Sequence, residues 1–189
     1  MNRDTNVRVK AKRRNRFGLI QLFLVFGLIA IVGVSFGVNV LPKKYAGVPE
    51  KLGNMKLGSV IEGPEAMAQV NRLHGTNIEL VSALIVEYSH DFNPYHKNDE
   101  QVTVWVGKTK SDELALELTG RMFEGIRDGG SSGFRNPQKL SVDGYEIFQI
   151  DGPGGTHFFY PAADPPRVVW LTIQSRDAST LLQEALSNF

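Results

Sequence analysis

The sequence contains no cysteine. Disulfide bonds, thiolate metal sites and thiol nucleophiles are therefore excluded, because each of them needs a cysteine sulfur. Covalent attachment of a c-type haem is excluded for the same reason. An oxidising compartment remains open to the protein, since a domain of about 150 residues buries enough apolar surface to fold without disulfide bridges.

Motifs that carry catalysis or phosphate binding are missing as well. The letters G-x-S-x-G occur once, at 129–133, but they follow a predicted helix instead of joining a strand to a helix, so they do not form a nucleophile elbow. The sequence has no H-E-x-x-H on a predicted helix. The glycine-rich segment 152–155 precedes strand-like residues rather than a helix, so it predicts a hairpin turn and matches neither a P-loop nor a dinucleotide fingerprint. These absences favour a non-enzymatic protein without a cofactor. An enzyme whose active site is assembled from dispersed residues is an alternative.

Positive charge is concentrated at the start of the chain. Residues 1–40 contain seven basic residues and one acidic residue, a net charge of +6, whereas residues 41–189 contain 14 basic and 19 acidic residues, a net charge of −5. The basic residues after position 40 are scattered singly, which disfavours nucleic-acid binding. The basic tail, residues 1–16, is expected to lie at lipid headgroups on the cytoplasmic side of a membrane.

Residues 17–41 are predicted to form a transmembrane helix. No charged residue occurs from Phe17 to Pro42, and a helix needs about 20 apolar residues to cross a hydrocarbon core of about 30 Å. A cleaved signal peptide is the alternative, but its apolar region is usually about 7–15 residues long, and the nearest small-residue cleavage pattern, at 35–37, lies inside the run. We expect a retained single-pass anchor in a bacterial inner membrane, with the N-terminus in the cytoplasm and the following domain in the periplasm.

Three small residues share one side of this helix. Ala30, Gly33 and Gly37 fall within about one third of its circumference, and Gly33 and Gly37 form a small-xxx-small pair. Such a pair allows two helix backbones to approach closely in lipid. We predict that this stripe packs against the helix of a membrane-protein partner or against a second copy of the chain.

The rest of the chain is predicted to comprise a connector at 42–62 and a folded domain at 63–189. The connector is rich in glycine and proline and contains one short predicted strand at 56–61. A helix is predicted from Pro64 to about His74, because proline is tolerated in the first turn of a helix.

The domain contains further segments with strand or helix patterns. Strands are predicted at 77–89, 101–109, 140–150, 156–160 and 168–174. Ser111 is predicted to cap a helix with a buried stripe that consists of Ala115, Leu118, Met122 and Ile126. Asp177 is predicted to cap a last helix whose buried face consists of Ala178, Leu182, Ala185 and Phe189.

Consecutive strands joined by short turns, without a regular βαβ rhythm, favour an antiparallel sheet. We therefore predict an α+β fold with two layers, in which a mainly antiparallel sheet carries its helices on one face.

The polar loop that follows the strand at 77–89 is a weak candidate for metal binding. It contains histidine and carboxylate side chains, which are ligand types for zinc, copper or nickel. These residues are His90, Asp91, His96 and Asp99. Their spacing matches no metal motif, and a solvated connection with a turn at 93–94 explains the same residues. We therefore predict no metal cofactor.

Aromatic residues near two loops are candidate contact residues, because aromatic side chains are enriched in protein interfaces. They are Phe92, Tyr95, Tyr160 and Trp170. Together with the membrane anchor, they predict a non-enzymatic accessory or assembly subunit of a membrane protein complex. A tethered domain that senses a small ligand or a metal is the first alternative, and the enzyme with a dispersed site is the second.

Overall fold

The computed structural model describes residues 45–74, 77–90, 100–130 and 133–189. The predicted transmembrane helix, with Ala30, Gly33 and Gly37, lies outside these residues, and so does the basic tail. Within the described residues, no helix is both long enough and apolar enough to cross a bilayer.

The described residues form one eight-stranded sheet and three helices. The strands are β1 (Lys51–Leu52), β2 (Met55–Glu62), β3 (Ser82–Ser89), β4 (Gln101–Lys108), β5 (Arg135–Val142), β6 (Tyr145–Gly152), β7 (Gly155–Ala162) and β8 (Arg167–Gln174). The helices are α1 (Pro64–His74), α2 (Asp112–Arg127) and α3 (Ala178–Asn188). The order of strands in the sheet is β1-β2-β3-β4-β8-β7-β6-β5, and every neighbouring pair is antiparallel. The predicted α+β class with an antiparallel sheet is confirmed.

The ends of α2 follow from its sequence. Ser111 accepts a hydrogen bond from the backbone N–H of Leu114 at 3.3 Å, which satisfies one of the unpaired donors of the first turn. After the helix, Gly129 adopts φ +76°, a left-handed conformation that glycine tolerates and that commonly ends a helix. The predicted cap at Ser111 is confirmed.

The buried face of α2 differs in part from the predicted stripe. The buried residues are Ala115, Thr119, Phe123 and Ile126. The predicted Leu118 and Met122 are only half-buried. Thr119 tolerates burial because its hydroxyl donates to the carbonyl of Ala115 at 2.9 Å, so the polar group keeps a partner.

Helix α3 begins after Asp177, as predicted, but the side chain of Asp177 makes no capping hydrogen bond. The buried residues of the helix are Leu181, Leu182, Ala185 and Leu186. The predicted Phe189, directly after the helix, is also buried, whereas the predicted Ala178 is half-buried.

The single strand predicted at 140–150 is wrong, because this segment contains the turn between β5 and β6. Asp143 and Gly144 form that turn, with φ values of +51° and +85°. Positive φ at both central positions is the type I′ geometry, which matches the twist of the paired strands. The hairpin turn predicted at 152–155 does connect β6 to β7.

Helices lie on both faces of the sheet, so the prediction that they share one face is wrong. On the front face, α1 packs against Ile85 of β3, and α2 packs against Phe148 of β6. On the back face, α3 packs against the largest apolar cluster, which includes Val86. The reason is that β3 presents apolar residues on both faces, as Ile85 and Val86 illustrate, so both faces need cover.

Candidate functional site

Strands β4 and β8 are neighbours at the centre of the sheet, and their two faces differ in burial. The residues that face the back are buried: Val102, Val104, Val106, Val169, Leu171 and Ile173. The residues that face the front are half-buried: Thr103, Trp105, Gly107, Val168, Trp170 and Thr172. The side chain of Leu80 lies against Gly107, and Phe134 packs edge-on against Trp170. The six residues therefore form a partly covered strip between α1 and α2 on the front face, which we call the central groove.

The floor of the central groove is built around the two tryptophans of the sequence. Trp105 and Trp170 are direct cross-strand partners, so their side chains stand side by side on the front face. Trp170 stacks on Phe159 with ring centroids 5.1 Å apart and an interplanar angle of 10°, and Phe159 stacks on Phe148 at 5.0 Å. Trp105 packs instead against the apolar cluster beneath α1. Trp170 is thus supported by the side chains beneath α2, and Trp105 by those beneath α1.

A chain of hydrogen bonds leads from Trp170 to the turn between β6 and β7. The carbonyl of Pro153 can only accept, so Nε2 of His157, 3.0 Å away, carries the hydrogen and donates it. Nδ1 of His157 is then the acceptor for the hydroxyl of Thr172 at 3.1 Å. The oxygen of that hydroxyl accepts a hydrogen bond from Nε1 of Trp170 at 3.3 Å. A neutral His157 therefore fixes the orientation of Thr172 and, through it, of Trp170.

His157 is buried, with 3% of its surface exposed. Burial lowers the pKa of its imidazole, while hydrogen bonds at Pro153 and Gly152 and the charge of Asp151 act in the opposite direction. Phe134 covers this region, with its ring centroid 5.0 Å from that of His157. Because both ring nitrogens have partners, the histidine is a positioning group here rather than a general base.

Glu87 of β3 places a carboxylate beside the central groove. It is the register partner of Thr103, so it lies on the front face next to the floor, and it is half-buried. Its carboxylate accepts a hydrogen bond from the hydroxyl of Ser59 at 2.7 Å. No lysine or arginine among the described residues forms an ion pair with it. The groove therefore combines indole rings with a carboxylate that has no cationic partner within the described part of the chain.

Only one of the predicted metal candidates, His90, lies within the described residues. Its Nε2 is 3.3 Å from the carboxylate of Glu100, which also accepts hydrogen bonds from the hydroxyl of Ser175 at 2.9 Å and the backbone N–H of Arg176 at 3.3 Å. The bond from Ser175, followed by those from Arg176 and His90, lowers the pKa of Glu100. The other candidates lie outside the described residues: Asp91, His96 and Asp99. The part of the chain that the structure describes contains no group of three metal-ligating side chains, and metal binding at this loop stays a prediction.

The predicted contact residues have different positions. Phe92 and Tyr95 lie outside the described residues. Tyr160 was expected near a surface loop, but it lies in β7, points to the back face and is 1% exposed. The alternation of side chains along a strand turns it into the core, although a loop follows only two residues later. Trp170 is half-buried and lies in the central groove.

Sequence reasoning missed Trp105 and Glu87. The alternation of Val102, Val104 and Val106 correctly indicates one buried face of β4, and the positions between them include Trp105. A tryptophan on the opposite face was the available signal. Comparison with protein-family models, curated proteins and solved structures found no match for this chain.

Proposed function

We propose that this protein is a non-enzymatic accessory or assembly subunit of a membrane protein complex. In this proposal, residues 17–41 anchor it in a bacterial inner membrane as a single-pass protein, and the described domain lies in the periplasm. The domain contacts its partner through the central groove. The half-buried pair of Trp105 and Trp170 on the two central strands is the observation that carries the proposal.

Burial elsewhere on the same strands supports an interface at this position. The back-facing residues of β4 and β8 are buried against α3 and its cluster, whereas the front-facing tryptophans are only half-buried. Tryptophan removes more apolar surface from water than most side chains do when it is covered. It is also among the residues that contribute most to binding when they lie at the centre of an interface.

The rigidity of the floor supports the same proposal. Trp170 is held by its stack on Phe159 and by the bond to Thr172. A side chain that is already ordered in the free protein loses little conformational entropy when a partner binds. The floor is thus prepared for binding without rearrangement.

The proposed anchor adds a second contact with the same partner. The stripe of Ala30, Gly33 and Gly37 would pack against a helix of that partner in the membrane. Two linked contacts raise the effective concentration of each. A modest affinity of the groove for the partner is therefore sufficient to form the complex when the protein is also anchored in the membrane.

The proposal is tested by native mass measurement of the full-length protein, extracted from its membrane in mild detergent. Thr103→Lys places a charge on the floor of the groove, and Ser141→Lys places the same charge at an exposed position of β5. We expect the wild-type protein and Ser141→Lys to appear in a heavier complex and Thr103→Lys to appear as the free chain. A wild-type protein that is recovered only as a free monomer, or a Thr103→Lys protein that stays in the complex, contradicts the proposal.

A further inference from the structure

We propose that the central groove binds an arginine or lysine side chain of the partner, held between the indole of Trp105 and the carboxylate of Glu87. This inference rests on the proposed function and specifies the chemistry of the partner at the same site.

The register of the sheet places the two groups at a suitable spacing. Glu87 is opposite Thr103, and Ile85 is opposite Trp105. Glu87 and Trp105 are therefore diagonal neighbours on the front face, a relationship in which backbones lie about 7–8 Å apart and long side chains still meet. A guanidinium or ammonium group above this diagonal contacts the indole face and the carboxylate together.

The carboxylate of Glu87 has the capacity for such a partner. Ser59 donates one hydrogen bond to it, and an ionised carboxylate accepts about four. No lysine or arginine of the described residues pairs with it. Because the site is half-buried, a cation there interacts with Glu87 more strongly than it would in open solvent.

The two indoles differ in the contacts that they already make within the protein. Nε1 of Trp170 is bonded to Thr172, and its ring contacts Phe159 and Phe134 at centroid distances of 5.1 and 5.5 Å. Trp105 makes no hydrogen bond through Nε1 within the described residues, and its Nε1 is not among the buried atoms without a partner. This N–H therefore keeps at least partial contact with solvent. Tryptophan is the aromatic side chain that binds cations best through its ring face.

The overall charge agrees with a cationic partner. Residues 41–189 carry a net charge of −5. An acidic domain attracts a cationic segment over distances of about one Debye length, roughly 8 Å at physiological ionic strength. The groove thus adds a specific contact to a general attraction.

A peptide titration of the full-length protein in detergent tests the inference. The probe is the blocked tripeptide Gly-Arg-Gly, and the control is Gly-citrulline-Gly, which has almost the same shape but no charge. We expect the arginine peptide to change the tryptophan fluorescence saturably and to bind about tenfold more tightly than the citrulline peptide. Equal binding of both peptides, or no saturable change with either, overturns the inference.

Matched variants locate the site. Glu87→Gln keeps an acceptor for Ser59 and removes the charge, and Glu117→Gln removes a charge at an exposed position of α2. We expect Glu87→Gln to weaken binding of the arginine peptide about tenfold and Glu117→Gln to leave it unchanged. An unchanged affinity in Glu87→Gln, with an unchanged unfolding midpoint, overturns the inference.

Two further outcomes separate this inference from the proposed function. If Thr103→Lys loses the native complex while Glu87→Gln keeps it, the groove is an interface but its partner does not present a cation there. If deletion of residues 2–16 increases the affinity for the arginine peptide, the basic tail of the chain itself occupies the groove and the partner assignment is overturned.

Discussion

Trp105 and Trp170 stand opposite each other at the junction of the two halves of the sheet. One half comprises β1 to β4 and carries α1, and the other comprises β5 to β8 and carries α2. Within the described residues, the pairing of β4 with β8 is the link between these halves in the sheet. In the proposed complex, a partner that covers the tryptophans would contact both halves at their seam.

Removal of the Thr172 hydroxyl is expected to destabilise the domain. Thr172→Val leaves Nδ1 of His157 and Nε1 of Trp170 without their partner, which costs about 1–3 kcal/mol. The measurement is the free energy of unfolding in urea of the full-length protein in detergent. Thr103→Val is the control, because Thr103 is the register partner of Thr172 and makes no side-chain hydrogen bond within the described residues. If the two substitutions lowered the free energy of unfolding equally, the hydrogen-bond chain would contribute nothing to stability.

The stability of the domain is expected to fall as the solution is acidified below about pH 6.5. Burial lowers the pKa of His157 in the folded protein, whereas a histidine in the unfolded chain has a pKa of about 6.5. Between these two pKa values the unfolded chain binds more protons, so stability increases with pH in that window and is fully present above it. The charged group that acts on the pKa of His157 is Asp151 on β6. The residues of α2 that are buried on the front face are uncharged.

The variant His157→Gln tests this pH dependence. We expect the loss of unfolding free energy between about pH 7.5 and pH 5.5 to be smaller in the variant than in the wild-type protein. The rest of the sequence is identical in the two proteins, so its contribution cancels in the difference. Parallel pH curves would contradict the assignment of His157 as a buried neutral group.

Gly155 is expected to be the most sensitive glycine of the β6–β7 turn. Its φ is +136°, and a Cβ at this position would overlap the backbone carbonyl of Ile173. Since the backbone cannot move aside without breaking the β7–β8 pairing, Gly155→Ala should cost about 3 kcal/mol or more. Gly144→Ala is the comparison, because its φ is also positive but no atom lies within 4 Å of the added Cβ, and we expect a cost of about 1 kcal/mol. A larger decrease in the unfolding midpoint for Gly144→Ala than for Gly155→Ala would contradict the geometry described for the β6–β7 turn.

Packing of α3 on the back face is expected to contribute strongly to stability. Leu182 is 3% exposed, so Leu182→Ala should cost about 2–5 kcal/mol through lost burial and a new cavity. Leu116 of α2 is 58% exposed, and Leu116→Ala should change the unfolding free energy by less than about 0.5 kcal/mol. Similar losses in both variants would mean that α3 does not cover the back face as described.

Local signals in the sequence predict most of the helices and strands. The cap at Ser111 and the glycine after α2 define that helix because they act on neighbouring backbone groups. The type I′ turn at Asp143-Gly144 was also predictable from its residues. It was missed because the apolar residues on both sides were interpreted as one continuous strand.

The arrangement of the elements was harder to predict. The pairing of β4 with β8 joins segments that are distant in the chain, and no local pattern encodes that contact. The face that α3 covers was also missed, because a strand that is apolar on both sides does not indicate which helix lies on which side. Trp105 and Glu87 become parts of one site only after the register of β3, β4 and β8 is known.

Photo-cross-linking from the floor of the central groove is the direct test of the proposed partner surface. A benzophenone amino acid is incorporated at position 103 of the full-length protein, with position 141 as the control, and membranes are irradiated before extraction. We predict a discrete product of higher mass from position 103 that is absent from position 141. No product from position 103, or the same products from both positions, would contradict the claim that Trp105 and Trp170 form a partner surface.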